Sequence, residues 1–305
     1  MERYARTDLA CERMGEIEDL PAGCRYRERR VGESSIQTLW VDTEDAAALI
    51  GKPRGLYLTV DCGRIPSLEG ERMEVVARLL AGELCGLAKR LTGKSLGSDF
   101  GVLIAGLGNA SLTADAIGPE TVARLTVTRH LREHESELYH GLSCCAISAL
   151  APGVLGQTGI ETLEILRGTV HAVRPDLLVV IDALAARSCD RLASTVQITD
   201  TGITPGSGVG NHRIGINRES VGIPVISVGV PTVVDSATLV YDALQKAGKT
   251  QIDGALREVL ENGRSFFVSP KESDLVTEHT ARLLSSALGM AFGGALHEIA
   301  QEAYF

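Results

Sequence analysis

The sequence predicts an α/β protein, with a mostly parallel central sheet, helices on both faces and additions at both ends of the chain. Two observations carry that expectation. Short apolar, β-branched runs recur at Val102–Ala105, Leu177–Ile181 and Ile223–Val230, bounded by glycine and polar residues. Longer stretches with apolar residues at helical spacing lie between them, notably 118–133 and 159–173. This alternation is the signature of βαβ units, and strands that are apolar on both sides belong to a sheet covered on both faces.

Taken in order, residues 1 to about 30 are polar, charged and weakly periodic, and read as a leader or arm. Ile36–Val41 and Gly55–Val60 read as strands with a short helix, Asp45–Ile50, between them. Arg72–Leu91 has helical periodicity and stops at Thr92-Gly93, a suitable C-terminal signal. Strand 102–106, helix 118–133, strand 145–149, helix 159–173 and strand 177–182 follow. Val196–Thr199 reads as a strand feeding a long, glycine-rich loop, Thr201–Gly222, that is either functional or mobile. The strand at Ile223–Val230 leads into helix 234–247, and turn signals around Lys249–Gly254 precede a C-terminal helix over about 277–302. The expected organisation is a single domain from residue 9 to 305, with a core over about 100–248 and a helical extension over about 249–305.

Composition narrows the function classes. The 305 residues carry 39 acidic and 30 basic side chains, a net charge of −9, and no basic stripe follows any predicted helix. Direct binding to nucleic acid or to an anionic membrane is disfavoured. The basic run Arg25–Arg30 contains Glu28 and reads as a solvated face. The N-terminus lacks the apolar segment of a secretory signal, and no apolar stretch reaches membrane-spanning length. Seven cysteines without C-x-x-C spacing argue against a disulfide framework or a zinc knuckle and fit a reducing cytoplasm. Adjacent Cys144 and Cys145 read as small core residues.

Two aspartates stand out as candidates for chemistry. Asp182 directly follows Leu177–Ile181, and Asp115 lies just beyond Val102–Ala105, in Leu112-Thr113-Ala114-Asp115-Ala116-Ile117-Gly118. In open α/β sheets the ligand crevice lies outside the carboxyl ends of the strands. Two carboxyl groups brought together there repel one another, which raises one pKa and leaves one acid and one base at neutral pH. Helix or turn capping by each aspartate is the competing explanation.

Other motifs are weaker. Gly106-x-Gly108 lacks the third glycine of a dinucleotide fingerprint, and Gly206-Ser207-Gly208 lacks the preceding strand of a nucleophile elbow. His130 and His134 share a helical face without forming H-E-x-x-H, and His212 is the histidine placed nearest the crevice. The glycine-rich turn 152–159 reads as structural. Arg187, five residues past Asp182, and Arg129 are candidates to receive a carboxylate, with ordinary salt bridges as the alternative.

A series of ordered blocks resembles the germination protease family. They include Arg6-Thr7-Asp8-Leu9-Ala10, Gly106-Leu107-Gly108-Asn109, Asp115-Ala116-Ile117-Gly118-Pro119, Val127-Thr128-Arg129-His130-Leu131 and Ile181-Asp182-Ala183-Leu184-Ala185-Ala186-Arg187-Ser188. Further blocks are Gln197–Ile203, Pro205–Asn211, Gly229–Asp235 and Ser269–Glu272. The resemblance implies an endopeptidase that degrades small acid-soluble spore proteins on germination, made in the spore core as an inactive precursor and assembled as a homotetramer. It places the two catalytic aspartates on Asp115 and Asp182, one activating water and the other, protonated, polarising the scissile carbonyl. It also implies that residues 1–8 are a propeptide removed by self-cleavage between Asp8 and Leu9.

A more distant likeness to hydrogenase maturation endopeptidases shows around Asp115, where those enzymes place a metal-binding glutamate. Their histidine ligand has no counterpart, so neither a metal nor a cofactor is expected. Nickel-enzyme maturation is the runner-up activity. A non-catalytic protein whose glycine loops hold a small anion is the alternative from another class. The segment between about Leu244 and Phe267 is shorter than in larger family members and is expected to bear on assembly or regulation.

Overall fold

A computed structural model describes residues 6–15, 19–206, 214–249, 253–262 and 266–294. Its strands are β1 (Cys24–Val31), β2 (Ser34–Val41), β3 (Gly55–Asp61), β4 (Gly101–Gly106), β5 (Ala146–Leu150), β6 (Leu177–Ala186), β7 (Thr195–Thr199), β8 (Val225–Asp235) and β9 (Phe267–Val268). They form one sheet in the order β1-β2-β3-β7-β8-β6-β4-β5, with β9 added to β8.

The sheet is mixed rather than mostly parallel. β8, β6, β4 and β5 run parallel to one another, whereas β1, β2, β3, β7 and β8 are joined by antiparallel pairs. The region read as a polar arm contributes β1. Only Gly32 and Glu33 separate it from β2, and a connection that short can join only antiparallel strands. β1 is mostly solvent-facing and charged, which hid its strand character and suits an edge that must not pair with another chain.

Helices cover both faces. Within β4 and β6, Val102, Ile104, Val179 and Ile181 point into one core with helices Gly70–Thr92 and Ser273–Phe292. The alternate residues Leu103, Ala105, Leu178 and Val180 meet Leu163, Leu166 and Val170 of helix Thr162–Val173 on the other side. The continuous apolar runs therefore arise from burial of both strand faces.

Three predicted helices have different limits. The stretch 118–133 divides into Ile117–Ala123 and Arg129–His134. Thr128 causes the break: its N–H donates to Ile147 O at 3.0 Å, and its Oγ1 accepts from Ile147 N at 2.8 Å, so the chain docks on β5 there. The stretch 159–173 starts later because Gly159, at φ +71°, ends a separate turn Leu155–Thr158. The C-terminal helix begins earlier, at Ser273, and residues 295–305 lie outside the described ones. Cys144 and Cys145 precede β5 and pack into different cores, both as free thiols.

Helix Ile117–Ala123 lies with its first turn directly against the end of β4. A Cβ on Gly118 would stand 2.2 Å from Leu107 O and 2.5 Å from Leu107 N. Backbone cannot yield as a side-chain tip can, so Gly118→Ala is expected to destabilise the protein by about 1–3 kcal/mol. Gly86, exposed on helix Gly70–Thr92 with open space around its Cβ position, supplies the contrast. Gly86→Ala should raise stability by about 0.5–1 kcal/mol through helix propensity. Denaturant unfolding of both variants checks the pair.

Candidate active site

Beyond the end of β4 the sheet opens. β4 pairs with β6 only as far as Gly106 opposite Ile181, while β6 continues to Ala186 alongside β8. A cavity of about 690 Å³ occupies this step, lined among others by Asp115, Asp182, Lys52, Gln197 and Asp8. This is the carboxyl end of the parallel strands, where a crevice is expected.

Asp182 is buried inside β6, opposite Gly229 of β8, and does not cap a turn at a strand end. Its Oδ1 accepts from Ala183 N at 3.0 Å. Asp115 closes a single 3₁₀ turn, Thr113–Asp115. The first helical position after it is preceded by Ala116, with no side-chain cap, so Asp115 is not the cap of helix Ile117–Ala123. Instead its Oδ2 accepts from Asn109 N at 2.8 Å. The turn is pinned by two hydroxyls, Thr232 Oγ1 donating to Ala114 O at 2.7 Å and Thr277 Oγ1 to Thr113 O at 2.8 Å. Gly108, at φ +110°, passes so close that a Cβ there would lie 2.0 Å from Asp115 O. The two aspartates singled out by position thus line one cavity, each on a backbone held from several sides.

The N-terminal arm enters that cavity. Because β4 has ended, Ala185 of β6 presents its N–H and C=O on a side where the described residues place no neighbouring strand. Asp8 takes both: its N–H donates to Ala185 O at 2.8 Å, and its Oδ2 accepts from Ala185 N at 2.9 Å. The carbonyl oxygen of Asp8 accepts from Lys52 Nζ at 2.8 Å and Gln197 Nε2 at 3.1 Å. Leu9 is fully buried against Leu184, Ala186 and Val234. Glu12 fixes the following turn, accepting from Arg187 N at 2.8 Å and Ser188 N at 2.9 Å. Arg6 reaches Asp235, which caps helix Ser236–Lys246, at 3.7 Å.

Lys52 gave no signal in the sequence. It follows Gly51, whose left-handed φ of +70° closes helix Glu44–Ile50 and directs the chain over the cavity. Its stem is partly exposed and its ammonium enclosed. Burial pushes that ammonium below the ordinary lysine range, and the Asp8 carboxylate opposes the shift.

Neither Arg129 nor Arg187 is among the residues lining the cavity. Arg129 pairs with Glu133 of its own helix at 2.6 Å and does not line the cavity. An i,i+4 partner one turn away holds it there. Arg187 also lies outside the lining, with its guanidinium 5.3 Å from the centre of the Tyr241 ring. His130 and His134 are exposed. His212 and Ser207 fall outside the described residues, among which no three His, Cys, Asp or Glu side chains come together as a metal-binding group. No helix among those residues is long and apolar enough to cross a membrane.

Comparison with known proteins places this geometry in context. Residues 7–249 match the germination protease family. The germination protease of Caldanaerobacter subterraneus is 39% identical, with 96% of this chain and 95% of that protein covered. That of Clostridium acetobutylicum is 36% identical over 95% of this chain and 96% of its own length. The Bacillus subtilis germination protease is 42% identical over 78% of this chain and 66% of its own length. Among solved structures, the [NiFe] hydrogenase maturation protease HycI from Thermococcus kodakarensis aligns at 20% identity with a TM-score of 0.34, covering 62% of this chain and 91% of that one. With full-length relatives at these identities and a family match from the buried arm to beyond helix Ser236–Lys246, the chain belongs to the germination protease family.

Proposed function

We propose that the chain is an aspartic-type endopeptidase that first cuts itself between Asp8 and Leu9 and then degrades small acid-soluble spore proteins. The observation that carries this reading is that Asp8 lies in the cavity lined by Asp115 and Asp182, bonded to Ala185 of β6 through its N–H and its carboxylate. An extended segment laid along a strand edge is how proteases and peptide-binding domains commonly hold a chain. In the intact chain the arm occupies the place of a substrate. Release of residues 1–8 would open the Ala185 edge to another polypeptide, which is the logic of a precursor. The homotetramer and the spore-core location follow from family resemblance.

For the chemistry, one aspartate takes a proton from water as it attacks the carbonyl carbon, and the other supplies a proton. Asp182, buried in the sheet, and Asp115, on a more open turn, sit in different surroundings, the condition under which a carboxyl pair divides into acid and base. The acidic side chain of Asp8 accepts from the Ala185 N–H, a polar contact at the edge of β6.

Asp115→Asn and Asp182→Asn should each lower the cleavage rate by about 10²–10⁴-fold, the usual range for loss of a general acid or base. Thermal unfolding should remain near the wild-type value. Variants that lose their fold would point to a structural role for the aspartates instead. Exhaustive chelation is expected to leave cleavage largely intact, measured on a protein substrate. Activity that disappears and returns with one added metal would overturn the two-aspartate reading. Incubation of the full chain under mildly acidic conditions, followed by intact mass, should show loss of residues 1–8, whereas a chain that stays whole would contradict self-processing.

A further inference from the structure

A second pair of side chains in the cavity converges on a single atom. Lys52 Nζ lies 2.8 Å and Gln197 Nε2 3.1 Å from the carbonyl oxygen of Asp8, so that oxygen has two donors. Gln197 also reaches across the peptide bond beyond it, its Oε1 accepting from Ala10 N at 2.8 Å. One side chain thereby holds the backbone on both sides of Asp8–Leu9 without regard to side-chain identity. Both residues are firmly placed. Gln197 is buried in β7 with Thr59 and Gly229 opposite it on the neighbouring strands, and Lys52 is aimed by the Gly51 turn. Two preorganised donors at this distance from one carbonyl oxygen, one of them a half-buried cation, match the requirement for stabilising a developing oxyanion.

We propose that Lys52 and Gln197 are catalytic residues that form the oxyanion pocket of the peptidase, first for the Asp8–Leu9 bond and then for the scissile bond of a protein substrate. The assignment rests on the self-cleavage reading. Water oxygen bonds to the Asp8 carbonyl carbon while one aspartate takes its proton, and the C=O π electrons move onto the oxygen facing Lys52 and Gln197. The C=O then re-forms and the C–N bond breaks, its electron pair going to the Leu9 nitrogen, which is protonated by the other aspartate. A carboxylate remains on Asp8 and an amine on Leu9. The carbonyl thus needs no donor from the carboxyl pair, and the protonated aspartate is assigned to the leaving nitrogen.

Lys52→Met and Gln197→Glu in the full chain test this. Lys52→Met keeps the aliphatic stem and removes the cation, while Gln197→Glu keeps the acceptor for Ala10 and replaces the donor with an oxygen. The readout is the first-order rate of appearance of the 9–305 chain by intact mass, alongside hydrogen exchange at the Asp8 amide, which reports whether the arm is still docked on Ala185. Each variant should slow self-processing by about 10²–10³-fold, the range seen when one oxyanion donor is lost, with the Asp8 amide still protected. Rates within threefold of wild type in both variants would overturn the assignment alone. So would slow processing that tracks loss of Asp8 protection, since that marks a docking role. A wild-type chain that never cuts at Asp8–Leu9 would sink the self-cleavage reading beneath it.

Discussion

The unpaired edge of β6 is the constraint from which the rest of this site follows. β4 stops opposite Ile181, and the main chain of β6 runs on to Ala186 with β8 on one side and, among the described residues, no strand on the other. Strand-edge N–H and C=O groups kept from water must find partners, or each costs free energy comparable to a lost hydrogen bond. In the described structure Asp8 supplies them at Ala185, through its N–H and its carboxylate. The same overhang carries Asp182 into the step beside β4, and the turn after β4 returns Asp115 toward it.

Several independent contacts hold the arm where the edge needs it. Arg6 reaches Asp235, Lys52 and Gln197 grip the Asp8 carbonyl, Leu9 is sealed in a small apolar cluster, and Glu12 accepts two backbone N–H groups. No one of these would secure a segment of ten residues, whose ordering costs roughly 1–2 kcal/mol per residue in backbone entropy. Together they cooperate, because each fixes the geometry for the next. The proposed cut after Asp8 would separate Arg6 and Asp8 from Leu9 and Glu12, so the leader would keep the contacts of Arg6 and Asp8, including those to Ala185, and lose the Leu9 and Glu12 contacts. On the proposed self-cleavage, that division would let a short strap close the cavity before the cut and leave it afterwards.

Part of the cavity lining was legible in the sequence. Asp115 and Asp182 could be singled out because an aspartate immediately after an apolar strand is a local pattern, and the glycines around Asp115 reported a backbone that must pass close to another. The mixed sheet was less legible, since β1 carries the charges of a solvated edge and shows no apolar alternation. Lys52 and Gln197 were invisible for a different reason. Each is set by a long-range pairing, Lys52 with an arm 44 residues away and Gln197 with one 189 residues away, and neither lies in a motif with a chemical signature. Of the two arginines, Arg129 pairs with Glu133 on its own helix and Arg187 lies against Tyr241, placements that only the tertiary fold sets.

Each chain is proposed to hold its own Asp8–Leu9 bond in its own cavity, in position to be cut there. The most direct measurement is the concentration dependence of self-processing, combined with a mixture of wild-type chain and an isotopically labelled Asp182→Asn chain. Cleavage within one chain gives a first-order rate constant unchanged over a wide range of protein concentration, with the labelled chain remaining full length while the wild type is trimmed. A rate that rises in proportion to concentration, with the labelled chain trimmed as fast as the wild type, would contradict it.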